Sequence, residues 1–117
     1  ILGIGRNGHL GLNEPGEGLE TGAHVTELSP ASLGHSMLRE SRSEVQYGLT
    51  LGMADILQAR EVVLLASGAA KAAQMRRAFL GAVTTKCPAS LLRLHPALQV
   101  FCDRTAAGMG SEGALKE

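Results

Sequence analysis

Cysteine is scarce in this sequence and charge is balanced, and both facts exclude classes of protein. Cys87 and Cys102 are the two cysteines, and they have neither CxxC spacing nor neighbouring metal ligands. We expect unpaired, buried thiols in a cytoplasmic protein, because disulfides persist mainly in oxidising compartments. Eleven basic and eleven acidic residues give zero formal net charge. Neither a basic stripe nor an acidic tail favours nucleic acid or a membrane surface as a partner.

Long hydrophobic runs and metal-binding spacings are missing as well. The apolar stretches fall far short of the roughly 20 residues that a membrane-spanning helix needs. The four histidines show no spacing such as HxxxH, so we expect no metal. Without internal repeats or low-complexity segments, the 117 residues suit one domain.

Short apolar runs that favour strands alternate with segments of helical period. Strands are predicted over residues 1–4, 23–28, 47–51, 61–66 and 98–102, and helices over residues 52–57, 69–80 and 88–94. The unbroken apolar run of residues 62–65 is typical of a strand covered on both faces. Gly81 is placed to end the helix before it. This alternation predicts an α/β fold: a three-layer, mostly parallel, Rossmann-like sheet flanked by helices.

The ends of the chain suggest a partial domain. Residues 1–4 already resemble the end of a buried strand, so we expect a fragment, with residues 1–107 forming part of a domain. Residues 108–117 are rich in glycine and polar side chains, and we expect them to form a flexible tail.

The loop of residues 5–16 follows the first predicted strand, where ligands bind in open α/β sheets. Its sequence is GRNGHLGLNEPG, and its glycines allow positive φ and close approach to a ligand. His9 and Glu14 form a candidate general acid/base pair, in which the carboxylate orients the imidazole. The alternative is a glycine-rich turn whose polar groups bond to its own backbone.

This loop resembles the active-site signature of the glucosamine-6-phosphate deaminase/isomerase family, usually written G-x-D-G-H-I-x-F-N-E-P. Further motifs in the family's order extend the resemblance to about Asp103, and they are residues 48–52, 59–62, 67–71, 88–90 and 94–96. The sequence of residues 7–15, Asn-Gly-His-Leu-Gly-Leu-Asn-Glu-Pro, is most similar to the motif of the galactosamine-6-phosphate branch. The related 6-phosphogluconolactonases typically lack the Asn-Glu-Pro ending.

The resemblance implies a sugar-phosphate isomerase type of fold and a reaction without a cofactor. The family opens a pyranose ring, moves a proton between C1 and C2, and hydrolyses an imine to give a ketohexose 6-phosphate and ammonia. His9 matches the ring-opening histidine, and Glu14 the carboxylate that orients and charges it. The family's usual aspartate is Asn7 here, which can accept a hydrogen bond from the imidazole without adding negative charge.

The same resemblance suggests residues for substrate binding. Lys71 matches the phosphate-binding lysine, and a lysine beside the N–H groups of a helix suits a phosphate. Gly8, Asn13 and Arg39 are candidate substrate contacts, although Arg39 is equally well explained as a solvated side chain. His95, in Leu-His-Pro, matches a pattern that we interpret as structural.

Two parts of the family's machinery are expected outside this chain: the phosphate loop and the acidic base that moves the C2 proton. We therefore expect the isolated chain to be inactive, and its uncovered apolar strands to cause poor solubility or a homo-oligomer. Two alternative functions remain for the whole protein. One is lactone hydrolysis of the 6-phosphogluconolactonase kind, and the other is a catalytically inactive domain that senses a sugar phosphate.

Overall fold

The computed structural model describes residues 1–28 and 46–109, and its elements follow the predicted order. A 3-10 turn, Ala69–Lys71, precedes α2, and a second 3-10 helix, Pro88–Leu94, precedes the last strand. The predicted strands and helices are confirmed, with end points that shift by a residue or two. The elements are β1 (Leu2–Gly3), β2 (His24–Glu27), β3 (Tyr47–Thr50), α1 (Met53–Leu57), β4 (Val62–Ala66), α2 (Ala72–Leu80) and β5 (Leu98–Cys102).

Three strands form a parallel sheet in the order β1, β4, β5. Leu2 is in register with Leu64, and Val62 with Leu98. The predicted parallel sheet flanked by helices is confirmed. Strands β2 and β3 instead pair with each other as a separate antiparallel ribbon. Because β1, β4 and β5 run in one direction, the loops that follow them leave from one edge of the sheet.

The hydrophobic core lies against one face of this sheet. Val62, Leu64 and Ala66 of β4 point into it, and α2 contributes Met75 and Ala78. The remaining buried members are Ile4, Leu10, Met53, Ile56, Cys87, Ala89, Leu92 and Ala106.

The opposite face of the sheet is uncovered by the described residues. Leu65 is 48% exposed, and Phe101, its partner in register on β5, is 55% exposed. Of the two covered faces predicted for residues 62–65, the described residues provide one, and the outer face is one of the uncovered apolar strand faces expected of a partial domain. An unbroken apolar strand is typical of a strand that is buried on both faces. Residues 1–28 and 46–109 bury one face of β4.

The two cysteines differ in their surroundings. Both are free thiols, as predicted, but Cys87 is buried and Cys102 is exposed. The prediction of burial is wrong for Cys102, because it ends β5 at the border of the sheet. The backbone beyond β5 continues as a turn up to Met109, whose N–H donates to the Arg104 carbonyl at 2.7 Å. Residues 110–117 of the predicted tail lie outside the described residues.

His95 is a buried structural residue, which confirms the interpretation of its motif. Its Nε2 donates to the Ala59 carbonyl at 2.7 Å, and its Nδ1 accepts the Ala97 N–H at 3.0 Å. One donating and one accepting nitrogen make a neutral ring, and this ring joins the end of α1 to the start of β5. In the described ranges, every helix is too short or too polar to cross a membrane.

The centre of the core gives a test of the fold. Leu64→Ala should lower the free energy of unfolding by about 2–5 kcal/mol, because it leaves a cavity in the middle strand. Urea denaturation measures this change. Leu80→Ala is the matched control: Leu80 is 76% exposed, so its loss should cost about 0.5 kcal/mol or less. Equal losses in the two variants would contradict the described core.

Candidate active site

The carboxyl edge of the sheet brings together three segments that are distant in sequence. Ile4 and the loop of residues 5–16 follow β1, Gly68 and Lys71 follow β4, and Asp103 follows β5. Crevices beyond the carboxyl ends of parallel strands are where such sheets bind ligands. This edge of the sheet is therefore the expected location of a ligand-binding site.

Gly8 anchors the loop to the segment around Cys87. It has a φ of +87°, which favours glycine, and a β-carbon there would lie 2.9 Å from the Cys87 sulfur. Its N–H donates to the Gly5 carbonyl at 3.0 Å, and its carbonyl accepts the Ala89 N–H at 2.9 Å. Gly8 is buried, with both backbone groups bonded inside the protein, and its contact with substrate stays a prediction.

Asn13 is also part of the scaffold that supports the loop. It is 2% exposed, and its amide Nδ2 donates to the carbonyls of Leu10 at 3.0 Å and Leu51 at 2.8 Å. Its Oδ1 has no hydrogen-bond partner among the described residues. The Asn13 side chain ties the loop to the chain after β3, and its contact with substrate stays a prediction.

The imidazole of His9 lies directly over Gly5. A β-carbon on Gly5 would lie 1.9 Å from His9 Nε2, so the ring occupies space that any other residue would fill. His9 Nδ1 is 2.7 Å from the Gly11 carbonyl. A carbonyl accepts and does not donate, so Nδ1 carries the proton. A neutral ring then has its lone pair on Nε2.

Asn7 connects His9 to Glu14. Its Nδ2 donates to Glu14 Oε2 at 2.7 Å, and its Oδ1 accepts the backbone N–H of His9 at 3.2 Å. The expectation that Asn7 accepts a hydrogen bond from the imidazole is corrected, since it accepts one from the main chain instead. Across the described residues, Glu14 thus reaches His9 through the amide of Asn7.

Lys71 extends across the sheet edge to the end of β1. Its ammonium donates to the Ile4 carbonyl at 2.6 Å, and Ile4 precedes the glycine under the His9 ring. Given the 2.6 Å and 1.9 Å distances, standard backbone dimensions place the ammonium within roughly 9 Å of His9 Nε2. Lys71 therefore contacts Ile4, and the His9 ring lies over the next residue, Gly5.

Arg39 and the absence of a metal are the remaining site predictions, and both stay predictions. Arg39 lies outside the described residues. Within residues 1–28 and 46–109, no group of three His, Cys, Asp or Glu side chains could hold a metal ion.

Two contributors to this edge were not recognised from the sequence. One is Gly5, whose missing side chain makes room for the imidazole. The other is Asp103, whose carboxylate accepts the Gly68 N–H at 3.1 and 3.2 Å from its two oxygens. The position of Asp103 directly after a strand was a usable signal, because the ends of parallel strands share an edge.

Comparison with known sequences shows similarity to deaminases. No family model matches the chain. A glucosamine-6-phosphate deaminase of Thermoanaerobacter pseudethanolicus is 41% identical over all of the chain and 47% of its own length. A protein of Escherichia coli K12, provisionally named deaminase AgaI, is 47% identical over 81% of the chain and 38% of its own length. The chain spans less than half of these relatives and corresponds to their C-terminal part.

Solved structures show the same fold. A monomeric glucosamine-6-phosphate deaminase of the NagB superfamily superposes with a TM-score of 0.84 at 38% identity, over 93% of this chain and 46% of that one. The 6-phosphogluconolactonase of Trypanosoma cruzi has a TM-score of 0.69 at 22% identity, over 95% and 40% of the two chains. The second likeness shows the fold alone.

The packing of His9 on Gly5 can be tested by filling the space between them. Gly5→Ala should displace the imidazole while changing the free energy of unfolding by less than about 1 kcal/mol, because the obstructing atoms belong to a surface-accessible side chain. NMR of the imidazole protons should show a changed environment for His9. Gly3→Ala is the control, since a β-carbon there meets nothing within 4 Å. An unmoved His9 resonance in Gly5→Ala would contradict the described ring position.

Proposed function

We propose that this chain, which is homologous to the C-terminal part of the glucosamine-6-phosphate deaminases, carries the ring-opening and phosphate-binding residues of an amino-sugar-6-phosphate deaminase. One observation carries the proposal: the His9 ring and the Lys71 ammonium meet at Ile4 and Gly5 on the carboxyl edge of the sheet. A base and a cation held at that separation suit a small molecule with a phosphate at one end.

The upper limit of roughly 9 Å between the two groups is compatible with a hexose 6-phosphate. Four bonds separate the ring oxygen of such a sugar from its phosphorus. With the phosphate beside Lys71 and the anomeric end beside His9 Nε2, one molecule spans the two groups. A lysine ammonium is a point charge that suits a phosphate dianion, and here it is aligned by its bond to the Ile4 carbonyl.

Ring opening needs one proton to move between two oxygens on the same carbon. In the proposed step, Nε2 of neutral His9 takes the proton from the anomeric hydroxyl and delivers it to the ring oxygen. The bond from C1 to the ring oxygen breaks, and C1 becomes an aldehyde. The Nδ1–H bond to the Gly11 carbonyl keeps Nε2 as the working nitrogen throughout.

Glu14 and Asn7 hold the histidine in place for this step. The carboxylate accepts from the Asn7 amide, and the Asn7 carbonyl accepts from the backbone of His9. Asn7 relays orientation without adding a second carboxylate to the site.

The later steps complete the deamination. Transfer of the C2 proton to C1, together with movement of one amine proton to the C1 oxygen, converts the aldehyde and amine into a C1 hydroxymethyl group and a C2 imine. Water adds to the imine, and ammonia leaves to give a ketohexose 6-phosphate. We assign the C2 proton transfer to a carboxylate outside this chain. Residues 1–117 therefore contribute ring opening and phosphate binding to the proposed reaction.

We further propose that the amino sugar is galactosamine 6-phosphate. The supporting feature is the sequence of residues 7–15, which has Asn7 at the position where the glucosamine branch usually has aspartate. Galactosamine and glucosamine 6-phosphates differ at C4, so the two are compared as substrates in every assay. Faster turnover of the gluco epimer would reject the proposed preference and retain the deaminase.

His9 gives the first functional test, made in the whole protein that carries this chain. His9→Asn should lower the rate of ammonia release by 10²-fold or more, because general acid–base catalysis contributes about that factor. Substrate binding should change little. His24→Asn is a matched control: its Nδ1 makes the same 2.7 Å bond to a carbonyl two residues away, but it lies on β2. Full activity of His9→Asn would remove His9 from the mechanism.

Lys71 gives the second test. Lys71→Met should raise KM for the amino-sugar phosphate about tenfold or more with a smaller change in kcat, because it removes a charge that acts on ground state and transition state alike. The control is Lys86→Met, whose ammonium makes an exposed 3.6 Å ion pair with Glu17. A wild-type protein that hydrolyses 6-phosphogluconolactone and releases no ammonia would replace the proposal with lactonase activity.

A further inference from the structure

Asp103 lies at the junction of two strand ends and is bonded to both. Its carboxylate accepts the Ala106 N–H at 2.8 Å, the Thr105 hydroxyl at 3.0 Å, and the Gly68 N–H at 3.1 and 3.2 Å. Its own N–H lies 3.4 Å from the Ala66 carbonyl. One side chain therefore closes the turn after β5 and also holds the turn after β4, 35 residues earlier.

Gly68 is the residue through which this contact can reach the proposed site. Its φ of +90° is a conformation that favours glycine. The peptide group that precedes it is oriented by the hydrogen bond from the Gly68 N–H to the Asp103 carboxylate. Its carbonyl accepts the Lys71 N–H at 3.1 Å, which starts the 3-10 turn Ala69–Lys71. A continuous path of hydrogen bonds thus runs from Asp103 through Gly68 to the backbone of Lys71.

The charge on Asp103 suits this place. The Ala106 N–H, the Thr105 hydroxyl and the Gly68 N–H, in that order of effect, lower the pKa of the carboxyl below its ordinary value. The group stays ionised at neutral pH. A carboxylate before the first turn of a helical segment also interacts favourably with the segment's dipole.

We propose that Asp103 is a positioning residue for Lys71: by holding the Gly68 N–H, it fixes the turn that places the Lys71 ammonium against the end of β1. This inference rests on the proposed phosphate-binding role of Lys71. It deepens that role by naming the residue that sets the geometry. In the structure, Asp103 bonds to Gly68, Thr105 and Ala106.

Two other roles for the same contacts make different predictions. Asp103 could serve its own turn alone, through Thr105 and Ala106, in which case its loss would reduce stability and leave phosphate binding unchanged. It could instead compete with the substrate phosphate for the Gly68 N–H, in which case its loss would tighten binding. The direction of the change in phosphate affinity separates all three roles.

The test compares Asp103→Ala and Asp103→Asn with two controls. Asp55→Ala removes a similar contact elsewhere, because the Asp55 carboxylate accepts the Gly52 N–H at 3.0 Å at the start of α1. Thr105→Ala removes one bond to Asp103 and leaves the Gly68 contact in place. All variants are made in the whole protein. Thermal unfolding, the kinetics of ammonia release, and inorganic phosphate affinity by calorimetry are measured for each.

We expect Asp103→Ala to raise KM about tenfold, to weaken phosphate binding by a similar factor, and to change kcat less than about threefold. Asp103→Asn, which keeps an acceptor oxygen, should show a smaller rise. Asp55→Ala and Thr105→Ala should lower the unfolding temperature without changing KM. In a Lys71→Met background, Asp103→Ala should change KM less than about twofold, because coupled residues are not additive.

Three outcomes would overturn the inference: unchanged phosphate affinity in a folded Asp103→Ala, tighter affinity in that variant, or full additivity with Lys71→Met. Failure of the proposed function gives a different result, namely a wild-type protein that releases no ammonia. Calorimetry with phosphate still decides the role of Asp103 in that case, because it does not depend on turnover.

Discussion

The hydrogen bond from the Lys71 ammonium to the Ile4 carbonyl is the interaction on which the arrangement of the site depends. It joins the turn after β4 to the end of β1 across the carboxyl edge of the sheet. The parallel pairing of the two strands makes the contact reachable, since it places both ends at one level. Gly5 leaves space for the His9 imidazole next to Ile4. The Lys71 ammonium and the His9 ring are therefore positioned by two adjacent residues, Ile4 and Gly5.

The loop itself is held mainly by groups that do no chemistry in the proposed reaction. Gly8 is bonded to Gly5 and Ala89, and Asn13 ties Leu10 to Leu51. Most buried polar groups in folded proteins are hydrogen-bonded, and these bonds pair several backbone groups of the loop within the protein. The polar residues of the loop thus divide into two sets. Asn13 is a buried part of the scaffold, whereas His9, Asn7 and Glu14 are partly exposed.

Much of the fold was predictable because its strands and helices have clear periodicity. The run of residues 61–66, the helical spacing after Ser67 and the strand at residues 98–102 each appear in the structure close to the predicted bounds. The differences share one cause. Cys102 and the outer face of β4 are exposed, and such exposure depends on which elements pack beside a strand. An apolar pattern predicts that a strand is buried, but it does not predict which residues bury it.

The local sequence determined the motif chemistry: an imidazole, a carboxylate and an amide between glycines, after a strand, with a lysine at the start of a later helix. The glycines of the loop also allow positive φ, and the structure shows this conformation at Gly8. Tertiary structure alone decided the partners. Asn7 bonds to Glu14 and to the His9 backbone, Lys71 bonds to a carbonyl 67 residues away, and Asp103 bonds to Gly68 across two strands. Such contacts depend on strand order and register, which arise when the sheet assembles and are not encoded in the spacing of any single segment.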